Sequence, residues 1–147
     1  MTFCGTLGRF VTISRFPLRR SSAQVCKFTS SRVWWMRGIN PMAWEEALEY
    51  CRNHYQDLVS LASKMELTLA LQKARNVQGM HFWTGLRFLD DSWLWVDGEP
   101  LTNGSWSADP LPKCPAEPFR CGALSTTTGS QEVRSCEEQL SYICYVE

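Results

Sequence analysis

Seven cysteines constrain this chain more than any other feature: Cys4, Cys26, Cys51, Cys114, Cys121, Cys136 and Cys144. Four of them fall within the last 34 residues, with six, fourteen and seven residues between successive members. Zinc sites are built on short knuckles, and the nearest approach to one is Cys51-x-x-His54, with no C-x-x-C anywhere. The pattern reads instead as a disulfide framework, which needs an oxidising compartment. An extracellular setting follows, either a secreted protein or the ectodomain of a membrane protein.

The 147 residues leave room for one domain and a short extension, and 44% hydrophobic content is enough to bury a core. Lys and Arg total 15 and so do Asp and Glu, so the whole chain has no charge bias toward nucleic acid. The balance is uneven along the chain. Met1 to Trp44 carries seven basic residues and no acid; from Glu45 onward eight basic residues face fifteen acidic ones, a formal −7. Residues 1–29 therefore read as an N-terminal extension distinct from a domain at 30–147. An untidy or incomplete chain start, a targeting segment and an ordered arm all fit this extension. No apolar run approaches the 18 residues of a membrane span.

Local patterns predict an α+β fold. Asn40-Pro41 suits an N-cap and first helical position. Trp44, Ala47, Leu48 and Cys51 then repeat at i, i+3, i+4 and i+7, giving a helix over about Met42–His54. Ser63-Lys64-Met65-Glu66 is a capping box, opening a second helix that carries Leu67, Ala70, Leu71 and Ala74 and ends near Asn76 and Gly79. Strand character follows in Phe82-Trp83-Thr84-Gly85-Leu86 and in Trp93-Leu94-Trp95-Val96. Turn signals sit at Asp90-Asp91 and Asp97-Gly98. Residues 99–120 form an irregular loop, and four of the seven prolines, at 110, 112, 115 and 118, fall within nine residues of it. A loop of that length inside a compact domain is usually functional or disordered. Cys121–Leu124 and Leu140–Tyr145 read as closing strands.

These marks together resemble the C-type lectin-like domain, in particular the fish lectins and the domains of macrophage-mannose-receptor type. The residues that carry the resemblance are Trp44-Glu45-Glu46-Ala47, Tyr50-Cys51, Asp57-Leu58-Val59-Ser60-Leu61, Phe82-Trp83-Thr84-Gly85-Leu86, Trp93-Leu94-Trp95, Cys121-Gly122-Ala123-Leu124, Cys136 and Tyr142-Ile143-Cys144. It covers about residues 30–147. It implies two helices, antiparallel sheets and a long loop stapled by Cys51–Cys144 and Cys121–Cys136. On the chain-entropy model these bridges contribute about 4.5 and about 3 kcal/mol. Trp83 and Leu86 are expected in the core, with Gly85 permitting close backbone approach. The pairing of Cys4, Cys26 and Cys114 stays open.

Sugar-binding members of the family hold calcium through a Pro-flanked loop triplet, EPN or QPD, and a WND triplet before the third framework cysteine. Calcium takes six to eight oxygens. Counting back from Cys136 puts WND on Gln131, Glu132 and Val133, and Val133 brings no side-chain oxygen. The loop triplet falls on Asp109-Pro110-Leu111, with Pro110 as the cis-proline, and Leu111 again brings none. Glu117-Pro118-Phe119 lies too close to Cys121 to be preferred. The metal positions Asp109, Leu111, Glu132 and Val133 are thus degenerate, and no calcium cofactor is expected at the primary site.

The resemblance implies a recognition module for a glycan or protein ligand, standing alone or within a larger receptor. Ligand-contact candidates on the loop are Trp106, Asp109, Lys113, Phe119 and Arg120, although Trp106 also suits a core position and the two cations suit solvated ones. Asn103-Gly104-Ser105 is an N-glycosylation acceptor triplet. A calcium-dependent lectin with a divergent site and a structural or ice-binding domain are the alternatives. An enzyme is not expected: the two histidines, His54 and His81, belong to no catalytic motif.

Overall fold

The structure, a computed structural model, describes residues 33–37, 40–77, 79–99, 101 and 111–146. Among these, two helices and seven strands run in the order β1 (Val33–Arg37), α1 (Trp44–His54), β2 (Asp57–Leu58), α2 (Lys64–Ala74), β3 (His81–Leu89), β4 (Ser92–Trp95), β5 (Cys121–Ser125), β6 (Ser130–Arg134) and β7 (Ser141–Val146). The sheet order is β1-β7-β3-β5-β6, with β2 added to β7 and β4 to β3. All ladders are antiparallel except β3 with β7, where Phe82 faces Ser141 and Trp83 faces Tyr142. The α+β expectation is met.

Helix α1 buries the face read from its periodicity: Trp44, Ala47, Leu48 and Cys51. Its start differs from the expected Met42. The backbones of Met42 and Leu140 exchange two hydrogen bonds of 3.0 Å, which holds Met42 extended and out of the helix. The N-cap is therefore Ala43 rather than Asn40, and its free N–H is accepted by Glu46 Oε2 at 3.1 Å. Leu140 is likewise spent on this bridge, so the last strand opens at Ser141. Helix α2 follows its capping box: Glu66 N donates to Ser63 Oγ, and Ser63 N donates to Glu66 Oε2. It ends at Ala74, a little before the expected Asn76.

The β3–β4 hairpin turns through Asp90 and Asp91, at φ 49° and 61°, between Leu89 and its partner Ser92. Two left-handed residues make a type I′ turn, and aspartate tolerates that conformation better than most side chains. The strands β1 and β6 and the short β2 are not among the elements that the sequence patterns predict.

The core has two faces. Trp44, Trp83, Leu58, Val96, Tyr142 and the Cys51–Cys144 bridge pack together on one, and Phe82, Leu86, Trp95, Leu124 and Ile143 on the other. Trp44 Nε1 donates to Thr84 O at 2.8 Å and Trp83 Nε1 to Met42 O at 2.8 Å, so the indole N–H groups of these two buried tryptophans are satisfied. Both implied disulfides are present, Cys51–Cys144 and Cys121–Cys136. The first ties α1 to β7. The second ties β5 to the segment after β6 and is covered by Arg87, whose Nη1 donates to both sulfurs at 2.7 Å beneath the Trp44 ring.

Candidate functional site

The β3–β4 hairpin and the far arm of the long loop meet along an open, shallow cavity of about 330 Å³. The hairpin supplies Phe88, Asp91, Ser92 and Trp93; the loop supplies Leu111, Pro112, Lys113 and Cys114. Trp93 Nε1 donates to Pro112 O at 2.9 Å, which fixes the loop against the hairpin. The same indole meets Phe88 edge-on, with 5.4 Å between ring centroids and 64° between planes. Cys114 is disulfide-bonded, a second restraint on this wall.

Behind the cavity the loop folds onto Arg120. Its Nε donates to Pro115 O at 3.0 Å, Nη1 pairs with Glu117 Oε1 at 2.9 Å, and the guanidinium lies 5.7 Å from the Phe88 ring centre. Arg120 thus organises the loop, where solvation or ligand contact was expected. Phe119 beside it is half exposed, at 51%. Lys113 is exposed at the cavity rim. Trp106, Asp109 and Asn103 lie outside the described residues, as do Pro110, Cys4 and Cys26. A cis peptide bond occurs at Glu117–Pro118, in the second Pro-containing triplet, the one close to Cys121.

The other half of the family's calcium position falls on β6. Gln131 is buried, and its Oε1 accepts from Thr84 Oγ1 at 3.0 Å. Glu132 is fully engaged: Oε2 lies 2.9 Å from His81 Nε2, and Oε1 accepts from Thr128 Oγ1 at 2.9 Å. Partial burial raises the Glu132 carboxyl, but the hydrogen bonds from His81 and Thr128 outweigh it and hold the group below the usual carboxylate range. Val133 offers no oxygen. Among the described residues no group of three or more His, Cys, Asp or Glu is placed to hold a metal ion.

Sequence reasoning named Lys113 and Leu111 but missed Phe88, Ser92, Trp93 and Pro112 as cavity walls. The available signal was the Asp90-Asp91 turn beside a W-x-W strand, with proline-rich loop some twenty residues further on. Only the fold brings the two together.

Comparison with known proteins agrees with this architecture. Residues 40–146 match the family described as "Lectin C-type domain". Lymphocyte antigen 75 of Homo sapiens is 34% identical over 108 residues, covering 70% of this chain and 6% of that protein. Human lithostathine superposes with a TM-score of 0.68 at 22% identity, over 80% of this chain and 93% of its own. A calcium-independent type II antifreeze protein superposes at 0.66 and 18% identity, over 79% and 86%. The chain belongs to the C-type lectin domain family. It spans a small fraction of the length of the curated relative it matches.

Proposed function

We propose that this domain is an extracellular recognition module that binds a glycan or protein ligand through its long-loop face, without calcium at the family's primary sugar position. The observation that carries the reading is the state of Glu132. Both of its oxygens are taken by His81 and Thr128, and its neighbour Val133 is apolar. A calcium ion there would have to strip those hydrogen bonds and would still lack ligands. Leu111 leaves the same shortage on the loop side. Two disulfides and a domain that matches only 6% of a much longer relative support an extracellular setting within a larger receptor. Recognition rather than catalysis is the role proposed: His54 Nδ1 sits against Tyr50 O and His81 against Glu132, and neither lines the cavity.

Glycan and protein arrays probed with and without a chelator test this. Binding is expected to survive chelation. Binding to simple sugars that vanishes with the chelator would refute it.

A further inference from the structure

We infer that the Cys121–Cys136 disulfide is a reducible switch at the end of the long loop, primed by Arg87 to open to a dithiol while the Cys51–Cys144 bridge stays closed.

Three observations lead there. The first is access. Cys51, Cys144 and Cys121 are fully buried, whereas Cys136 is only partly buried, in the turn that follows β6. Thiol–disulfide exchange needs the attacking thiolate to reach a sulfur, and of these two bridges only Cys121–Cys136 offers an approach from solvent. The second is charge. Arg87 Nη1 lies 2.7 Å from each of the two sulfurs, and its guanidinium carbon is 5.0 Å from the Trp44 ring centre. Arginine keeps its proton in proteins. Against the closed bridge its charge meets two weak, neutral acceptors. Against the opened one it meets a thiolate, so the attraction grows as the bond breaks. Arg87 is itself buried, and the gain is larger there than in water.

The third is what depends on the bond. Cys136 N donates to Pro118 O at 3.1 Å, and Cys136 O accepts from Trp44 N at 3.0 Å. This residue therefore joins the end of the long loop to the start of α1. Cys121 opens β5 directly after the loop. Opening the bridge removes the covalent restraint at the loop's end, while Cys51–Cys144 still ties α1 to β7. Redox state thereby sets how firmly residues 111–120 are held.

The chemistry is an ordinary two-step exchange. A thiolate of the dithiol attacks Cys136 Sγ and forms a mixed disulfide. The Cys121–Cys136 bond breaks, and its electron pair leaves with Cys121 Sγ as a thiolate beside Arg87. The second thiolate of the reductant attacks its own bridged sulfur and closes the reductant's disulfide. Cys136 Sγ departs with that electron pair and takes a proton from water. The dithiol is oxidised by two electrons and the bridge is reduced by two.

The test exposes the intact oxidised protein to dithiothreitol without denaturant. Samples are trapped with iodoacetamide at intervals, and peptide masses score the two bridges. Cys121–Cys136 is expected to open at least about tenfold faster than Cys51–Cys144. Arg87→Met removes the charge and is expected to slow that opening about fivefold, because the leaving thiol's pKa rises. Arg87→Lys is expected to stay within about twofold of the parent. A protein carrying both Cys121→Ser and Cys136→Ser lacks the bond from the start. Its hydrogen exchange is expected to quicken about tenfold or more across residues 111–125 and to stay unchanged across α1. Simultaneous opening of the two bridges, or earlier opening of Cys51–Cys144, overturns the inference; this order is read in the parent and decides even where Arg87→Met does not fold. A folded Arg87→Met protein whose bridge opens as fast as the parent's overturns it too, as does unchanged exchange across residues 111–125.

Discussion

Gly122→Ala is the sharpest probe of the packing that positions this site. Gly122 lies on β5 next to the bridged Cys121, opposite Val133 and across from Leu86 of β3. A Cβ built there would sit 2.3 Å from Leu86 Cδ2, 2.5 Å from its Cβ and 2.8 Å from its Cγ. The Cδ2 contact can be relieved by rotating the leucine. The Cβ contact cannot, because that atom moves only with the backbone. Reaching an ordinary 3.4 Å separation requires β3 and β5 to part by about 1 Å in a core packed near crystal density. Leu86 is fully buried, so it has nowhere to retreat. Overpacking of this kind costs about 1–3 kcal/mol, and a clash with a fixed atom belongs at the upper end. At roughly 4 °C per kcal/mol for a domain of this size, the melting temperature should fall by about 10 °C. Gly85→Ala supplies the internal comparison. Its added methyl meets Val96 Cγ2 at 2.9 Å and Leu58 O at 3.2 Å, and the valine tip can turn aside. It should cost less. Thermal unfolding of the oxidised proteins, followed by circular dichroism, reads both. A Gly122→Ala melting temperature within about 2 °C of the parent, or a larger loss for Gly85→Ala, would refute the reasoning.

Three further outcomes are expected. Replacing Cys121 and Cys136 together by serine should cost about 3 kcal/mol, and replacing Cys51 and Cys144 about 4.5, because the second loop is longer; denaturant midpoints of the two double variants give the order. The folded Glu132 carboxyl titrates below its unfolded counterpart. Its pairing therefore stabilises the fold above the unfolded value of about 4.3, and that contribution is lost as pH falls through the lower folded value. Glu132→Gln should flatten the acid limb of the melting temperature between about pH 5 and 3. Saturating calcium should leave the melting temperature unchanged relative to chelator, whereas a site filled at one hundred times its dissociation constant would add about 2.7 kcal/mol, a shift that scanning calorimetry would register at once.

Much of the fold was legible because it is local. The i, i+3, i+4, i+7 face of α1 reached the core residue for residue, and the Ser63–Glu66 box opened α2 where expected. What was not legible depends on distant partners. Met42 and Asn40 have every local reason to begin a helix, yet Leu140, almost a hundred residues later, claims the Met42 backbone. The β6 strand reads Ser-Gln-Glu-Val-Arg, with neither apolar alternation nor β-branched enrichment; its only deeply buried side chain is Gln131, held by Thr84. Of the candidate site, the lack of a side-chain oxygen at Leu111 and Val133 is plain from residue type alone. The capture of Glu132 by His81 was invisible, since β5 and a turn intervene. Arg120 looked like a surface cation because nothing in sequence shows a guanidinium satisfied by Pro115 O and Glu117 within its own loop.

The pairing of β1 with β7 sets Val33 across from Val146. The polypeptide thus arrives and departs through neighbouring strands, about 5 Å apart by the ordinary spacing of a sheet. Closing the sheet where the chain enters and leaves it fastens the two ends of the fold to each other, so that sequence change between β4 and β5 need not disturb this clasp.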